Sequence, residues 1–365
     1  MSKKIKTIIA IGGTGGHVFP GLHLGEHLEK SGHFVEYVTD KRGYKFLNRF
    51  NNLIIKILPS SRLSKKNIFD YFLSLIAILY SVLRSIIFLL FNRPKIIFGM
   101  GGYASFPICI AATILKIKFI IYENNLIIGK ANKYLLPFAR QIFVSYRELE
   151  GIPEKFNYKI REIGNIINKT IINYNQNQKK IRDNKKIKIL ILGGSQAAKI
   201  FAETLPNIFK RCSNEGVSLE IFQHCMQNQE KQLSLFYKEA KIKFETFTFS
   251  ENLIEYFSKV NLAITRSGAS ILAELTNCNI PFVSVPLPTA ADNHQLKNAI
   301  YYQQKNYSFL IEEKDLKTEL YSLIKEIYNN NELLENIINK QRQHSDKNVY
   351  NNINENLKNT FNEKN

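Results

Sequence analysis

A run of β-branched residues, Ile5 to Ile11, ends directly in Gly12-Gly13-Thr14-Gly15-Gly16-His17, and Val18, Phe19 and Pro20 then open a helix-length segment. A strand that hands glycines to the start of a helix leaves few folds open. Glycines let the main chain approach a ligand closely, and a helix start offers N–H groups and a positive dipole end to an anion. The same turn recurs three times: Gly99-Met100-Gly101-Gly102-Tyr103-Ala104-Ser105, Gly193-Gly194-Ser195-Gln196, and Arg266-Ser267-Gly268-Ala269-Ser270, the last before a helix that carries Glu274. One such loop alone is equally well a plain tight turn. Four of them, on the strand ends where open α/β sheets bind ligands, point to a nucleotide or polyphosphate. The first loop has no start point that satisfies GxGxxG, and no Gly-Lys-Ser/Thr follows it. It is therefore neither the dinucleotide fingerprint nor a P-loop.

Short apolar runs alternate with helix-length segments along the whole chain. Strands are expected at 5–11, 34–39, 53–57, 95–99, 118–122 and 140–145, and a second series at 187–192, 217–223, 243–247, 260–265 and 280–285. Alternating β and α units imply parallel sheets with right-handed crossovers. With 365 residues the chain is too long for one core, and two series predict two Rossmann-like domains. The polar, Asn-rich stretch from Asn168 to Lys186 connects them. The expected domains are 1–167 and 168–345, with the tail 346–365 either packing back on the first domain as a helix or fraying.

Fifty Lys and Arg against 31 Asp and Glu leave a formal charge of +19, which favours anionic partners. The charge is spread out, without aromatic residues interleaved in a basic stripe, so a membrane surface and phosphorylated substrates rank ahead of nucleic acid. Cys109, Cys212, Cys225 and Cys278 form no CxxC pair and no zinc-like spacing; two of them sit in apolar runs, where a free Cys behaves as a small hydrophobe, and a reducing cytoplasm is expected. The start, MSKKIKTIIAIGG, has only about seven apolar residues before glycine and reads as a first strand rather than a signal peptide. Ile68 to Phe91 approaches the length of a spanning helix, with Arg62, Lys65 and Lys66 before it and Arg93 and Lys95 after it. Asp70 and Arg84 interrupt it, and it lies between strands of one expected sheet. Helices that cover the sheet on one side and dip into a membrane interface on the other are expected; a buried crossover helix is the close alternative.

The motifs GGTGGHVFPG (12–21), GMGGYAS (99–105), YENN (122–125), GN (164–165), GGSQ (193–196), RSGAS…AE (266–274) and DNHQ…NA (292–299) stand in a familiar order. The chain resembles, over nearly its whole length, the UDP-N-acetylglucosamine–N-acetylmuramyl-(pentapeptide) pyrophosphoryl-undecaprenol N-acetylglucosamine transferase family of peptidoglycan synthesis. The resemblance implies the GT-B fold, two Rossmann-like α/β domains with parallel sheets facing across a cleft. It implies inverting transfer of N-acetylglucosamine from UDP-GlcNAc to undecaprenyl-diphosphate-linked MurNAc-pentapeptide, without metal or cofactor. The enzyme would sit peripherally on the cytoplasmic face of the bacterial plasma membrane, through an apolar patch with basic edges on an anionic surface.

The implied site is specific. Gly101, Gly102 and Tyr103 would contact the acceptor, and Thr14, Gly15, Gly16 and Asn125 would reach the donor sugar from the first domain. Ser195 and the turn Ala269, Ser270, Ile271 and Leu272 match donor diphosphate contacts. Glu274 matches a carboxylate on the ribose hydroxyls and Gln295 a reader of the sugar hydroxyls. The sequence departs from the family at GNIIN, where Asn168 replaces a donor-contacting Arg, at Tyr122-Glu123-Asn124-Asn125 for His-Glu-Gln-Asn, at Phe106 for Gly, and at GGSQAAK for GGSQGAR.

The muramoyl C4 hydroxyl must lose its proton as UDP departs. His17 is the candidate base because imidazole is poised near neutral pH; its alternative is a clamp on the acceptor diphosphate. Glu123 is the reserve base, or else a structural carboxylate at a strand end. Leaving-group charge falls to the helix starting near Ala269, helped by Arg266 or Lys199. His23 and His27 flank Glu26 as HLGEH, which is not HExxH, and read as packing or solvated residues. An NAD oxidoreductase with Asp40 as ribose acid fails on the glycine spacing. A non-catalytic nucleotide binder and a transferase acting on another lipid remain as rivals.

Overall fold

The computed structural model describes residues 4–13, 15–63, 67–174, 186–194, 198–248, 250 and 253–362. One compact unit comprises Met1–Asn168 with Lys347–Asn365, and the other Lys169–Asp346. In chain order the first unit holds β1 (Ile5–Ala10), α1 (Gly15–Lys30), β2 (His33–Thr39), α2 (Lys41–Leu47), β3 (Ile55–Ile57), α3 (Ile68–Phe91), β4 (Ile96–Gly99), α4 (Gly102–Ile114), β5 (Phe119–Glu123), α5 (Lys130–Leu135), β6 (Gln141–Val144) and β7 (Ile160–Glu162). The second holds α6 (Lys169–Ile172), β8 (Ile187–Leu192), α7 (Lys199–Asn214), β9 (Leu219–His224), α8 (Gln227–Glu239), β10 (Lys243–Phe247), α9 (Ile254–Phe257), β11 (Leu262–Thr265), α10 (Ala269–Asn277), β12 (Phe282–Ser284), α11 (His294–Gln304), β13 (Phe309–Leu310), α12 (Leu316–Asn329) and α13 (Glu332–Gln341); α14 (Val349–Asn362) returns to the first.

Both sheets are parallel. The first runs β3-β2-β1-β4-β5-β6-β7 and the second β10-β9-β8-β11-β12-β13. In each, the chain winds outward from a central strand and then comes back to that strand's other side. Ligands of doubly wound sheets bind where the order reverses. In the first unit that point lies between β1 and β4, which pair with Ala10 opposite Gly99. In the second it lies between β8 and β11, with Leu192 opposite Thr265. All four glycine turns follow these strands. Central strands of parallel sheets are covered on both faces and so read as unbroken apolar runs; Ile8, Ile9, Ala10 and Ile11 are fully buried.

β7 and β13 fall outside the strand expectations, and the strand expected at 53–57 is confined to Ile55–Ile57. All three lie at or next to sheet edges, and runs of two or three residues are too short to show a period.

The segment 68–91 is one continuous helix rather than several, capped by Asn67, whose side chain accepts from the Asp70 N–H. Its buried positions are mainly small and polar: Ser74, Ser81 and Ser85, beside Val82 and Leu89. Each serine hydroxyl bonds back to its own helix, Ser81 Oγ to the Ala77 carbonyl at 2.7 Å and Ser85 Oγ to the Ser81 carbonyl at 2.8 Å. Such residues let α3 lie close against α4, whose buried face includes Ala104, Ser105, Ala111 and Ala112. The large apolar side chains point the other way, and Phe69 and Phe72 are 68% and 63% exposed.

α14 buries Val349, Tyr350, Ile353 and Leu357. The Tyr350 hydroxyl donates to the Ile167 carbonyl at 2.7 Å, and Asn352 Nδ2 donates to Ile163 at 3.1 Å. His27 serves this packing: its ring lies 4.6 Å from that of Tyr350, and its Nε2 is 2.8 Å from Asn354 Oδ1. Burial pushes the His23 imidazole down to about 4, so it stays neutral. The four cysteines are buried and unbridged.

Candidate active site

The first two glycine turns meet at the switch point of the first unit. Gly101 and Gly102 take φ of +90° and +73° as they lead into α4, a backbone that side chains resist. The space a side chain would need is also taken, chiefly by His17 in the first turn of α1. A Cβ on Gly101 would fall 2.9 Å from His17 Cε1 and 3.0 Å from Nδ1; one on Gly102 would fall 3.3 Å from Cδ2. The imidazole thus lies against bare backbone of the second turn, half-buried. Tyr103 follows on α4, with the Arg62 guanidinium 5.8 Å from its ring centre.

The end of β5 closes the same site. Asn124 Nδ2 donates to the Gly16 carbonyl at 3.0 Å, tying the YENN segment to the first turn. The Glu123 carboxylate is 3% exposed. Its Oε1 accepts from the Asn125 N–H at 3.2 Å and from Asn125 Nδ2 at 2.9 Å. Its Oε2 accepts from the Gly129 N–H at 2.8 Å and from Asn132 Nδ2 at 3.0 Å. A carboxylate has about four lone-pair sites, and these four donors take them all. Asn132 has no place in the sequence expectations, since its partners lie in another element. Tyr122, where the family has His, hydrogen-bonds Ser145 Oγ at 2.8 Å and accepts from the Ile166 N–H at 3.1 Å.

Asp40 caps α2. Burial works against its ionised form, but bonds from the Gly43 N–H, Ser60 and Arg42 outweigh that and hold the carboxyl below its usual range.

In the second unit, α10 begins at the switch point after an extended Gly268. Ala269, Ser270 and Ile271 supply the first-turn amides, which at any helix start lack an intrahelical acceptor, while Leu272 is fully buried. The Ser267 hydroxyl just before them is buried without a hydrogen-bond partner. One turn along, Glu274 keeps an edge in solvent, yet crowding around it pushes its carboxyl up to about 8 by desolvation. Asn298 Nδ2 donates to the Ser267 carbonyl at 3.1 Å and so binds the DNHQ helix to this turn. Before that helix, Asp292 and Asn293 both adopt left-handed φ, 52° and 54°. Two such residues in succession store strain of the kind that gathers at ligand sites. Gln295 Oε1 accepts from the Leu287 N–H at 2.9 Å, and His294 Nδ1 lies 2.7 Å from the Ala291 carbonyl.

The Arg266 guanidinium is committed internally. It pairs with Glu313, donates to the carbonyls of Val285 and Pro286 at 3.3 Å each, and lies 4.9 Å over the Phe201 ring. Lys199 is exposed and pairs with Glu203 at 3.3 Å. Thr14 and Ser195 lie outside the described residues, as do Lys65, Lys66 and Gln196.

Residues 7–144 match the glycosyltransferase family 28 N-terminal domain, and residues 188–353 match the family's C-terminal domain. The chain is 35% identical over 367 residues to the UDP-N-acetylglucosamine–N-acetylmuramyl-(pentapeptide) pyrophosphoryl-undecaprenol N-acetylglucosamine transferase of Pelagibacter ubique, covering 100% of both chains. It is 35% identical over 340 residues to the protein of the same name from Rickettsia felis, covering 90% of this chain and 92% of that one. Among solved structures, Acinetobacter baumannii MurG superposes with a TM-score of 0.75 at 24% identity, over 96% of this chain and 98% of that one.

Proposed function

The chain belongs to glycosyltransferase family 28, and from that premise we propose that it transfers N-acetylglucosamine from UDP-N-acetylglucosamine to the C4 hydroxyl of an undecaprenyl-diphosphate-linked N-acetylmuramoyl pentapeptide. The observation that carries the reading is the placement of four glycine turns at the two points where strand order reverses. Each turn offers backbone N–H groups to phosphate, and the two substrates each carry a diphosphate.

In this reading Gly101, Gly102 and Tyr103 hold the acceptor, and Gly15, Gly16 and Asn125, with Thr14, meet the donor sugar. Ser195 and the first turn of α10, Ala269 to Leu272, take the donor diphosphate. Glu274 receives the ribose hydroxyls and Gln295 the sugar hydroxyls. His17 takes the C4 proton: its ring is the titratable side chain against the second glycine turn. Glu123, its lone pairs fully engaged, is assigned to holding the loop. Charge on departing UDP is met by the α10 amides rather than by Arg266, which Glu313 neutralises.

The membrane reading rests on α3. It is long and apolar enough to span a bilayer, with mean hydropathy 2.3, and only 28% of its most apolar window is buried. But β3 before it and β4 after it belong to one sheet. A span would put strands of that sheet on opposite sides of a bilayer. Docking of the outward face at an anionic surface on the cytoplasmic side, with Arg62, Arg93 and Lys95 at its ends, satisfies both facts.

Acceptor choice tests the reading. Purified protein is incubated with labelled UDP-N-acetylglucosamine and either the polyprenyl-diphosphate muramoyl pentapeptide or diacylglycerol. Label in the first lipid alone supports it; label only in the second moves the chain to another lipid acceptor.

A further inference from the structure

We propose that Arg62, in the loop between β3 and α3, binds the diphosphate of the lipid-linked acceptor; the proposal rests on the transferase reading above. The start of this loop is pinned beside the first glycine turn. The Leu58 N–H donates to the Thr39 carbonyl at 2.9 Å, and Ser60 Oγ donates to Asp40 Oδ2 at 3.0 Å. Asp40 in turn caps α2 through the Gly43 N–H at 2.8 Å, and a Cβ on Gly43 would fall 3.3 Å from the Gly12 Cα. Two residues beyond Ser60, the Arg62 guanidinium lies 5.8 Å from the centre of the Tyr103 ring. Tyr103 directly follows Gly101 and Gly102. The loop therefore reaches from the first turn to the second and carries a cation there.

That cation is uncommitted. Arg62 is exposed, and among the described residues its guanidinium has the Tyr103 ring as its partner and pairs with no carboxylate. Its neighbour Arg42 pairs with Asp40 at 3.2 Å, and Arg266 pairs with Glu313. A planar guanidinium offers paired N–H donors that match phosphate oxygens, and resting it on a ring lowers the freedom lost on binding. The acceptor supplies the anion at a defined place, since its two phosphates join an apolar chain to the sugar. Arg62 stands in the same order, between the glycine turns and the start of α3 at Ile68, where Phe69 and Phe72 face outward. Phosphates of membrane lipids share this chemistry. The position at Tyr103, rather than along α3, favours the acceptor.

The test compares wild type, Arg62→Gln and Arg62→Lys as full chains. Kinetics are read in neutral detergent, where no anionic lipid contributes, with the polyprenyl-diphosphate muramoyl pentapeptide and with its polyprenyl-monophosphate analogue. In Arg62→Gln, KM for the diphosphate acceptor should rise about tenfold or more. KM for UDP-N-acetylglucosamine should stay within about threefold. The preference in kcat/KM for diphosphate over monophosphate acceptor should shrink by about tenfold, an effect that a purely structural role would not produce. Arg62→Lys keeps the charge without the fork and should fall between. Tm should hold in both, and cosedimentation with phosphatidylglycerol vesicles should fall no more than about fivefold. An unchanged acceptor KM in both variants overturns the proposal, as does an equal loss with the two acceptors. Loss confined to vesicle binding overturns it by giving Arg62 to membrane phosphates, and unfolding of both variants overturns it by giving Arg62 to the fold. A silent but folded wild type refutes the transferase reading instead.

Discussion

Gly12 and Ala104 hold the first two glycine turns together: a Cβ on Gly12 would stand 2.1 Å from the Ala104 Cβ and 3.4 Å from its Cα. Neither atom is the far end of a flexible side chain, so nothing there gives way. Gly12→Ala is expected to cost about 1–3 kcal/mol of stability and most of the activity. Adding Ala104→Gly should restore much of both. Thermal melts and turnover of the single and double variants check this, and a Gly12→Ala protein with wild-type Tm contradicts the contact.

Glu274 gives stability a pH dependence of known sign. Its carboxyl is raised to about 8 from a usual value of 4.5, so between those pH values the folded protein keeps a proton that the unfolded chain has lost. Its contribution is complete below the unfolded value and fades as pH rises through about 8. Glu274→Gln removes the penalty. Without ligand its Tm should match wild type near pH 4.5 and exceed it by a few degrees at pH 8.5. UDP binding should strengthen with pH across the same window in wild type, as ionisation frees the carboxylate to accept from both ribose hydroxyls, and stay flat in Glu274→Gln. Melts across pH and calorimetry decide both points.

The two faces of α3 should respond oppositely. Phe69→Glu with Phe72→Glu changes exposed positions, so Tm should hold while cosedimentation with anionic vesicles falls at least about tenfold. Ser81→Leu inserts bulk at a position 1% exposed and should cost about 1–3 kcal/mol. Vesicle binding unchanged in the double glutamate variant would contradict the docking face.

Arg266 and Lys199 form ion pairs of different worth. The Arg266 side chain is 9% exposed, so Glu313→Gln leaves a buried guanidinium without its carboxylate and should cost about 3 kcal/mol. Glu203→Gln, opposite a Lys199 side chain that is 80% exposed, should cost less than about 1 kcal/mol. Denaturant titration separates the two.

The glycine turns were legible because strand, glycine and helix start are adjacent in the chain. Their convergence was not, because β4 is fourth in sequence yet pairs with β1, and only long-range pairing reveals that. The buried face of α3 had a readable signal: Ser74, Ser81 and Ser85 fall at i, i+7 and i+11 in a largely apolar helix. So did the strained Asp292-Asn293 pair, since Asp and Asn tolerate left-handed φ best among residues with a side chain. Asn132 had none. It sits nine residues from Glu123 in a short helix, and its importance comes entirely from what it touches. Asn298 lay inside the DNHQ…NA motif, but its bond to Ser267 is a tertiary fact.

The most direct measurement is incorporation of radiolabelled N-acetylglucosamine into the polyprenyl-diphosphate muramoyl pentapeptide, with EDTA present and wild type beside His17→Ala. Transfer by wild type despite chelation is predicted, with turnover lowered at least about a hundredfold in the variant and UDP-N-acetylglucosamine affinity changed by less than about threefold. No transfer by folded wild type in detergent or membranes would contradict the function, and full turnover by His17→Ala would contradict the role of the imidazole.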